Sequence, residues 1–163
     1  MLNIKLQPGD YQGDLVPQQN SSHISPGGQP SIKLAMGNSL YSPGGGFRLT
    51  LQASDGNLVL QSVNDATLPA WGQGQQLNPA ALQWTPIWSA KTNGKSVTEA
   101  DMQLDGNFVV YAGGVPVFST GTNGQEHAFL RSQDDGNLVI YDPSGSAGWA
   151  TNTSAGEAPG NNT

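Results

Sequence analysis

The sequence has no cysteine, few charged residues and no long apolar run, and each absence excludes a class of protein. Without cysteine there is no disulfide framework, and cysteine content does not indicate in which cellular compartment the protein works. No apolar run approaches the length of a membrane span, and residues 1–5 lack the apolar core of a secretory signal. We therefore expect no membrane span, and a chain that either is made without a classical signal or begins after one.

Positive charge is also scarce. Only 6 Lys and Arg stand against 12 Asp and Glu, which gives a formal net charge of -6 and argues against a nucleic-acid partner. The 163 residues include 22 Gly and 11 Pro, a composition that favours many short strands and turns. This length suits one domain of ordinary size with a little extra chain.

One nine-residue pattern, Gln-x-Asp-x-Asn-x-Val-x-Tyr, organises the chain. It occurs in full twice, at Gln103, Asp105, Asn107, Val109 and Tyr111 and again at Gln133, Asp135, Asn137, Val139 and Tyr141. A weaker copy keeps Asp55, Asn57 and Val59, but it has Gln61 at the Tyr position and Gln52 one residue early. A one-residue bulge would return Gln52 towards its place in the pattern. The protein is therefore predicted to repeat one unit three times.

Each copy is predicted to form a β-hairpin. Asp-Gly readily supplies the positive φ angles of a tight turn, and β-branched and aromatic residues follow it. Because side chains alternate along a strand, Asn107, Val109 and Tyr111 share one face while Phe108 and Val110 share the other. A lone Asp-Gly-Asn predicts only a turn, but a turn does not require the fixed Gln, Val and Tyr. A row of amide, carboxylate and phenol groups beside an apolar patch suits a neutral polyhydroxylated ring.

An aromatic residue follows each hairpin and indicates a third strand. These residues are Trp88, Phe118 and Trp149. We interpret them as core rather than ligand contacts, since a bundle of strands needs large side chains at its centre.

Two segments fall outside the repeats. Asn137 lies 30 residues after Asn107 but Asn107 lies 50 after Asn57, so an insertion of about residues 62–86 enlarges the first repeat. It holds Trp71 and Trp84 without a clear strand pattern, which indicates either a contact surface or packing over the sheet edge. Residues 1–31 are rich in Pro and Gly and are predicted to form an N-terminal extension, which is either a tail or linker, or an arm that packs on a neighbour or as an edge strand.

The chain lacks the parts of an active site. Asp105 and Asp135 belong to separate hairpins and do not form the carboxyl pair of a glycosidase. Neither His23 nor His127 has metal-ligand spacing, and no Ser pairs plausibly with His and Asp. We expect no enzyme, no catalytic residue, no metal and no cofactor.

The repeated motif, the Leu34-x-x-Gly37-x-x-Leu40 opening and the Trp149 to Thr153 ending resemble the bulb-type, monocot mannose-binding lectins. The resemblance covers residues 32–155 and leaves 156–163 as a C-terminal tail. It implies an all-β fold, the β-prism II, with three antiparallel sheets in pseudo-threefold symmetry and one sugar pocket per sheet. The disulfide of the plant members is absent, with Gly56 and Thr98 near its expected places, so we expect a non-plant-like member.

The resemblance also implies how each pocket works. Asp and Asn hold the 2-hydroxyl of mannose, Gln and Tyr hold the 3- and 4-hydroxyls, and Val packs against the ring carbons. We expect the two full motifs to carry most of the affinity and the pocket of Gln52, Asp55, Asn57, Val59 and Gln61 to be weak.

The resemblance further implies partners and a setting. The expected partners are mannose and mannose-rich glycans, on cell surfaces or outside the cell, together with a second copy of the chain in a homodimer through the tail after Trp149. Two alternatives stay open: an antibacterial lectin-like protein that binds a bacterial surface polysaccharide, and a structural prism with vestigial pockets.

Overall fold

The structure is a computed structural model that describes residues 2–64 and 75–154. Pro69 and Trp71 of the insertion, and the C-terminal tail 156–163, lie outside the described residues. The strands in chain order are β1 (Tyr11–Gln12), β2 (Asp14–Leu15), β3 (Ser31–Ala35), β4 (Ser39–Tyr41), β5 (Phe47–Leu51), β6 (Leu58–Val63), β7 (Trp84–Ser89), β8 (Glu99–Gln103), β9 (Phe108–Ala112), β10 (Val115–Ser119), β11 (Phe129–Ser132), β12 (Leu138–Tyr141) and β13 (Ala147–Ala150). One 3₁₀ turn, Pro79–Ala81, precedes β7.

These strands form three sheets within the described part of the chain. Their orders are β1-β4-β5-β6-β7, β10-β9-β8-β3 and β13-β12-β11-β2. The three motif copies form the central hairpins β5/β6, β8/β9 and β11/β12, all antiparallel. Among the strands of residues 2–64 and 75–154, only the short edge strand β1 runs parallel to its neighbour. The prediction of an all-β chain with three sheets is confirmed.

The inward faces of the hairpins make one core. Alternation along β9 buries Phe108 and Val110, and the same alternation along β12 buries Leu138 and Ile140. Each of these side chains is at most 1% exposed, and all belong to a single cluster. The opposite face of every hairpin is therefore left for the motif side chains.

The predicted aromatic residues of the three sheets pack against one another. The Trp88 ring lies 5.7 Å from Phe118 and 5.6 Å from Trp149, and Phe118 lies 6.4 Å from Trp149, each pair edge to face. Edge-to-face packing directs the positive edge of one ring at the negative face of the next. Each sheet contributes one ring, from β7, β10 and β13, and the three rings are partly buried and packed against the main core cluster.

The N-terminal residues are paired with the sheets. Strand β2 extends the third sheet, where Leu15 lies opposite Leu130 and Asp14 lies opposite Arg131. Leu15 is fully buried in the main core cluster. Of the interpretations of this segment, the structure shows an edge strand for β2. The division of the chain at residue 31 stays a prediction.

The described ends of the insertion extend the pairing of β6 with β7 rather than form an irregular loop. Val63 of β6 pairs with Trp84 of β7, and Leu77 forms a parallel bridge with Ile4. Trp84 packs edge to face on Tyr41, with the ring centroids 6.1 Å apart. Of the two interpretations of Trp84, the structure shows packing over the sheet.

Replacing Leu15 by Ala tests whether the N-terminal strand is part of the folded core. We expect this change to lower the free energy of unfolding by about 2 to 5 kcal/mol, because it leaves a cavity among fully buried side chains. The adjacent Val16 is 39% exposed, so Val16→Ala is the matched control and is expected to change stability by about 0.5 kcal/mol or less. Urea unfolding measures both, and equal losses would contradict the docking of β2.

Candidate functional site

The turn of each motif copy is built from an aspartate and a glycine. In the second copy Gly106 has φ +93°, and the Asp105 carboxylate accepts a hydrogen bond of 3.0 Å from the Asn107 amide. A Cβ atom at Gly106 would lie 2.3 Å from the carbonyl oxygen of Gln125, so only glycine fits. The third copy repeats the arrangement, with 2.9 Å from the Asn137 amide to Asp135 Oδ1.

Hydrogen bonds join the outer-face side chains into a row. In the third copy Gln133 Nε2 donates to Asp135 Oδ1 at 3.1 Å, and the Tyr141 hydroxyl donates to Gln133 Oε1. The second copy has the same two bonds, from Gln103 to Asp105 at 3.2 Å and from Tyr111 to Gln103. Since each side chain is held by the next, the donors and acceptors are oriented before any ligand arrives.

The asparagine of each copy is oriented by hydroxyl groups that sequence reasoning missed. Asn107 Oδ1 accepts from Ser119 Oγ at 3.0 Å and from Thr120 Oγ1 at 3.2 Å. Asn137 Oδ1 accepts from Thr151 Oγ1 at 3.1 Å. With the carbonyl used in this way, the Nδ2 amide is the group left for a ligand. The repeated Thr-x-Thr after β10 and β13 is the signal that would have revealed this role.

The third pocket is open to solvent. Gln133, Asn137 and Tyr141 are partly exposed and Asp135 is exposed. Phe129 lies beside Tyr141 with ring centroids 6.0 Å apart. This pocket therefore presents a complete polar row, and the Arg131 guanidinium lies 5.1 Å from the Phe129 ring and 5.6 Å from the Tyr141 ring beside it.

The second pocket is covered by the chain's own N-terminal segment. Residues 23–31 turn back on themselves, with a bridge between Ile24 and Pro30, and form what we call the 23–31 hairpin. A Cβ atom on Gly27 at its tip would lie 2.6 Å from the Tyr111 hydroxyl and 3.3 Å from Gln103 Oε1. Tyr111 is 3% and Gln103 4% exposed, and burial raises the pKa of Tyr111. The structure thus separates two pockets that the sequence treats as equal.

A cluster of titratable side chains lies at the base of this hairpin. His23 Nε2 is 2.8 Å from Glu99 Oε2 and 3.0 Å from Asp101 Oδ1. Burial, and then the neighbouring Glu99 carboxyl, raise the pKa of Asp101 to about 8. The sequence gives His23 no partner at ligand spacing, because the two carboxyls lie more than seventy residues further along the chain.

The first pocket keeps the turn of the motif but has different side chains at the tyrosine position. The Gln52 amide donates to the Asn57 carbonyl at 2.9 Å, as Gln103 does to Asn107, so the extra residue is absorbed in the turn. Gln61 accepts from Arg48 Nε at 2.7 Å, and the guanidinium stacks on Trp84 at 4.2 Å. A cavity of about 620 Å³ lies in front of this sheet. It is open, but a guanidinium and an amide replace the phenol.

The fold is similar to that of several solved lectins. A lectin from Marasmius oreades is 25% identical, with a TM-score of 0.62 over 95% of this chain and 98% of the other. A monomeric monocot mannose-binding lectin from Gastrodia elata is 29% identical, with a TM-score of 0.59 over 87% and 98%. The mannose-specific agglutinin of snowdrop, Galanthus nivalis, solved with methyl-α-D-mannoside, is 30% identical, with a TM-score of 0.52 over 86% and 96%. No family model and no curated protein matches the sequence.

The three sheets and the similarity to solved lectins define a carbohydrate-binding lectin with the β-prism II fold. The chain belongs to the bulb-type, monocot mannose-binding lectin family. The expected fold is therefore confirmed, and so is the expectation that the protein is not an enzyme, since its relatives are lectins.

Replacing Gly27 by Val tests the contact that covers the second pocket. The new side chain would collide with Tyr111, so we expect the 23–31 hairpin to open. The amides of Gly28 and Ser31, which donate to the carbonyls of Ser25 and His23, should then exchange hydrogen about tenfold faster or more. Gly46→Val is the matched control, since a Cβ there meets nothing within 4 Å. Unchanged exchange in Gly27→Val would show that the tip does not lean on Tyr111.

Proposed function

We propose that the protein binds mannose or mannose-containing glycans, and that the third pocket is its principal site. The residues proposed to form this site are Gln133, Asp135, Asn137, Val139 and Tyr141. The observation that carries the proposal is the open, fully hydrogen-bonded row in which every polar member is already oriented.

The row matches the stereochemistry of mannose. An axial 2-hydroxyl both donates and accepts, and Asp135 supplies an acceptor while Asn137 Nδ2 supplies a donor. Gln133 and Tyr141 lie next along the face and serve the 3- and 4-hydroxyls. Glucose places its 2-hydroxyl equatorially, away from the Asp and Asn pair, so the site favours mannose.

The same reasoning ranks the other two pockets. The pocket of Gln103, Asp105, Asn107, Val109 and Tyr111 has the full row, but the 23–31 hairpin occupies the space in front of it. The pocket of Gln52, Asp55, Asn57, Val59 and Gln61 is reachable, yet it lacks the phenol. The loss of one hydrogen bond and some apolar contact costs roughly 1 to 2 kcal/mol, which weakens this pocket about tenfold.

Affinity for a single sugar is expected to be weak. A few hydrogen bonds at about 1 kcal/mol net each give a dissociation constant near 1 mM. Binding at the third pocket needs no metal ion, because side chains supply every donor and acceptor. Useful avidity for a glycan-coated surface then requires several sites at once.

Replacing the equivalent aspartate of each pocket by alanine tests the ranking of the three pockets. We expect Asp135→Ala to weaken the binding of methyl α-mannoside by about tenfold or more, since it removes the acceptor for the 2-hydroxyl and frees Gln133. Asp105→Ala is the matched control and is expected to change little, as is Asp55→Ala. Calorimetry should give about one site per chain, before and after chelation. Loss of binding in Asp105→Ala but not in Asp135→Ala would overturn the ranking.

A homodimer through the tail after Trp149 is proposed as the route to avidity. The described part of this tail binds its own chain, where Thr153 donates to the carbonyl of Gly136 at 2.6 Å. Exchange between two chains would therefore have to reproduce these contacts with the partner's tail. Light scattering across a concentration series should give a dimer mass, and a monomer mass throughout would contradict the proposal.

A further inference from the structure

We propose that His23, Glu99 and Asp101 form a binding site for a divalent cation of the zinc class, and that the bound ion fastens the 23–31 hairpin over the second pocket. Ion binding stands on the geometry of these three residues alone. Only its effect on sugar access rests on the proposed function.

The three side chains converge from two separate parts of the chain. Their donor atoms, one imidazole nitrogen and two carboxylate oxygens, lie within 4.8 Å of one another. Zinc bonds to such atoms are about 2.0 to 2.2 Å long, which separates tetrahedral ligands by roughly 3.4 Å. The observed distances of 2.8 and 3.0 Å from His23 Nε2 need only a small outward movement to admit an ion.

Asp101 supplies a second, independent observation that points to a ligand at this cluster. Its side chain is wholly buried, and Oδ2 has no hydrogen-bond partner among the described residues. A buried carboxyl oxygen without a partner is costly, and an ion is one of the few groups that satisfies it. Lys33 lies opposite Asp101 on β3, but its side chain is exposed and no described hydrogen bond joins the two.

The ligand types select the ion. Imidazole suits zinc and its neighbours among the transition metals, whereas magnesium and calcium prefer sites made wholly of oxygen. Three protein ligands leave a fourth zinc position for water. The His23 and Glu99 side chains are 29% and 18% exposed, so the ion has a path from solvent.

Binding would cross-link the hairpin to the sheet. Glu99 and Asp101 belong to β8, while the His23 carbonyl accepts the Ser31 amide at the base of the hairpin. Fixing His23 fixes that base, and with it the position of Gly27 over Tyr111. An ion that binds only the closed arrangement stabilises it by mass action.

Calorimetry with zinc chloride tests the site. The full-length protein is treated with EDTA and desalted, and we expect about one zinc ion per chain. His23→Asn and Glu99→Gln should each weaken zinc binding at least about tenfold. Even the mutation of a residue that only hydrogen-bonds to a metal ligand lowers metal affinity by about that much. His127→Asn is the matched control, because it removes the chain's other histidine at an exposed position. Calcium and magnesium chloride should show no such binding.

Two results would overturn the site: no one-to-one zinc binding, or an equal loss in the His127→Asn control. Hydrogen exchange tests separately whether the bound ion fastens the 23–31 hairpin. Zinc should slow hydrogen exchange at the Gly28 and Ser31 amides of the wild type but not of His23→Asn, while the Gly136 amide in the third turn stays unchanged. Exchange that is indifferent to zinc would overturn that link. Neither measurement involves sugar, so their failure is distinct from failure of mannose binding.

Discussion

The structure depends on the edge-to-face contact of Trp88, Phe118 and Trp149, where the three sheets meet. A single twisted hairpin cannot bury its apolar face alone, and each sheet here buries it against the other two. The shared centre fixes which face of every hairpin turns outward. The polar rows are thus the outward faces of a core that requires all three copies.

Equivalent strand positions then decide what each outer face can do. Arg48, Glu99 and Phe129 occupy the same register, opposite Gln61, Tyr111 and Tyr141. The arginine engages Gln61 of the first pocket, the glutamate ties the second to His23, and the phenylalanine leaves the third with an aromatic edge. One backbone plan therefore gives three different surfaces, because the side chain beside the motif differs.

Much of this could be predicted from the sequence, because the motif is local. The Asp-Gly turn, the alternation along the strands and the spacing of the aromatics all act over a few residues, and they predicted hairpins, core and pockets. The turn of the first copy is an example. It has an extra residue before Asp55, yet the hydrogen bond from the Gln52 amide to the Asn57 carbonyl still closes it.

The cover over the second pocket could not be predicted in this way. It depends on His23 meeting Glu99 and on Gly27 meeting Tyr111, contacts between a segment without strand periodicity and residues more than seventy positions away. Composition identified residues 1–31 as an extension but carried no information about which sheet they reach. Long-range placement of this kind is set by tertiary packing, which periodicity does not report.

The pairing of β2 with β11 also sets the order in which the chain can fold. Leu15 must meet Leu130, so the third sheet stays incomplete until almost the whole chain is available. Closing so long a loop costs little more free energy than closing one half its length, but contacts between distant residues slow folding. During synthesis the first strands leave the ribosome early and wait for the last repeat. Strand β2 is therefore made early but can pair with β11 only after the last repeat has begun to form.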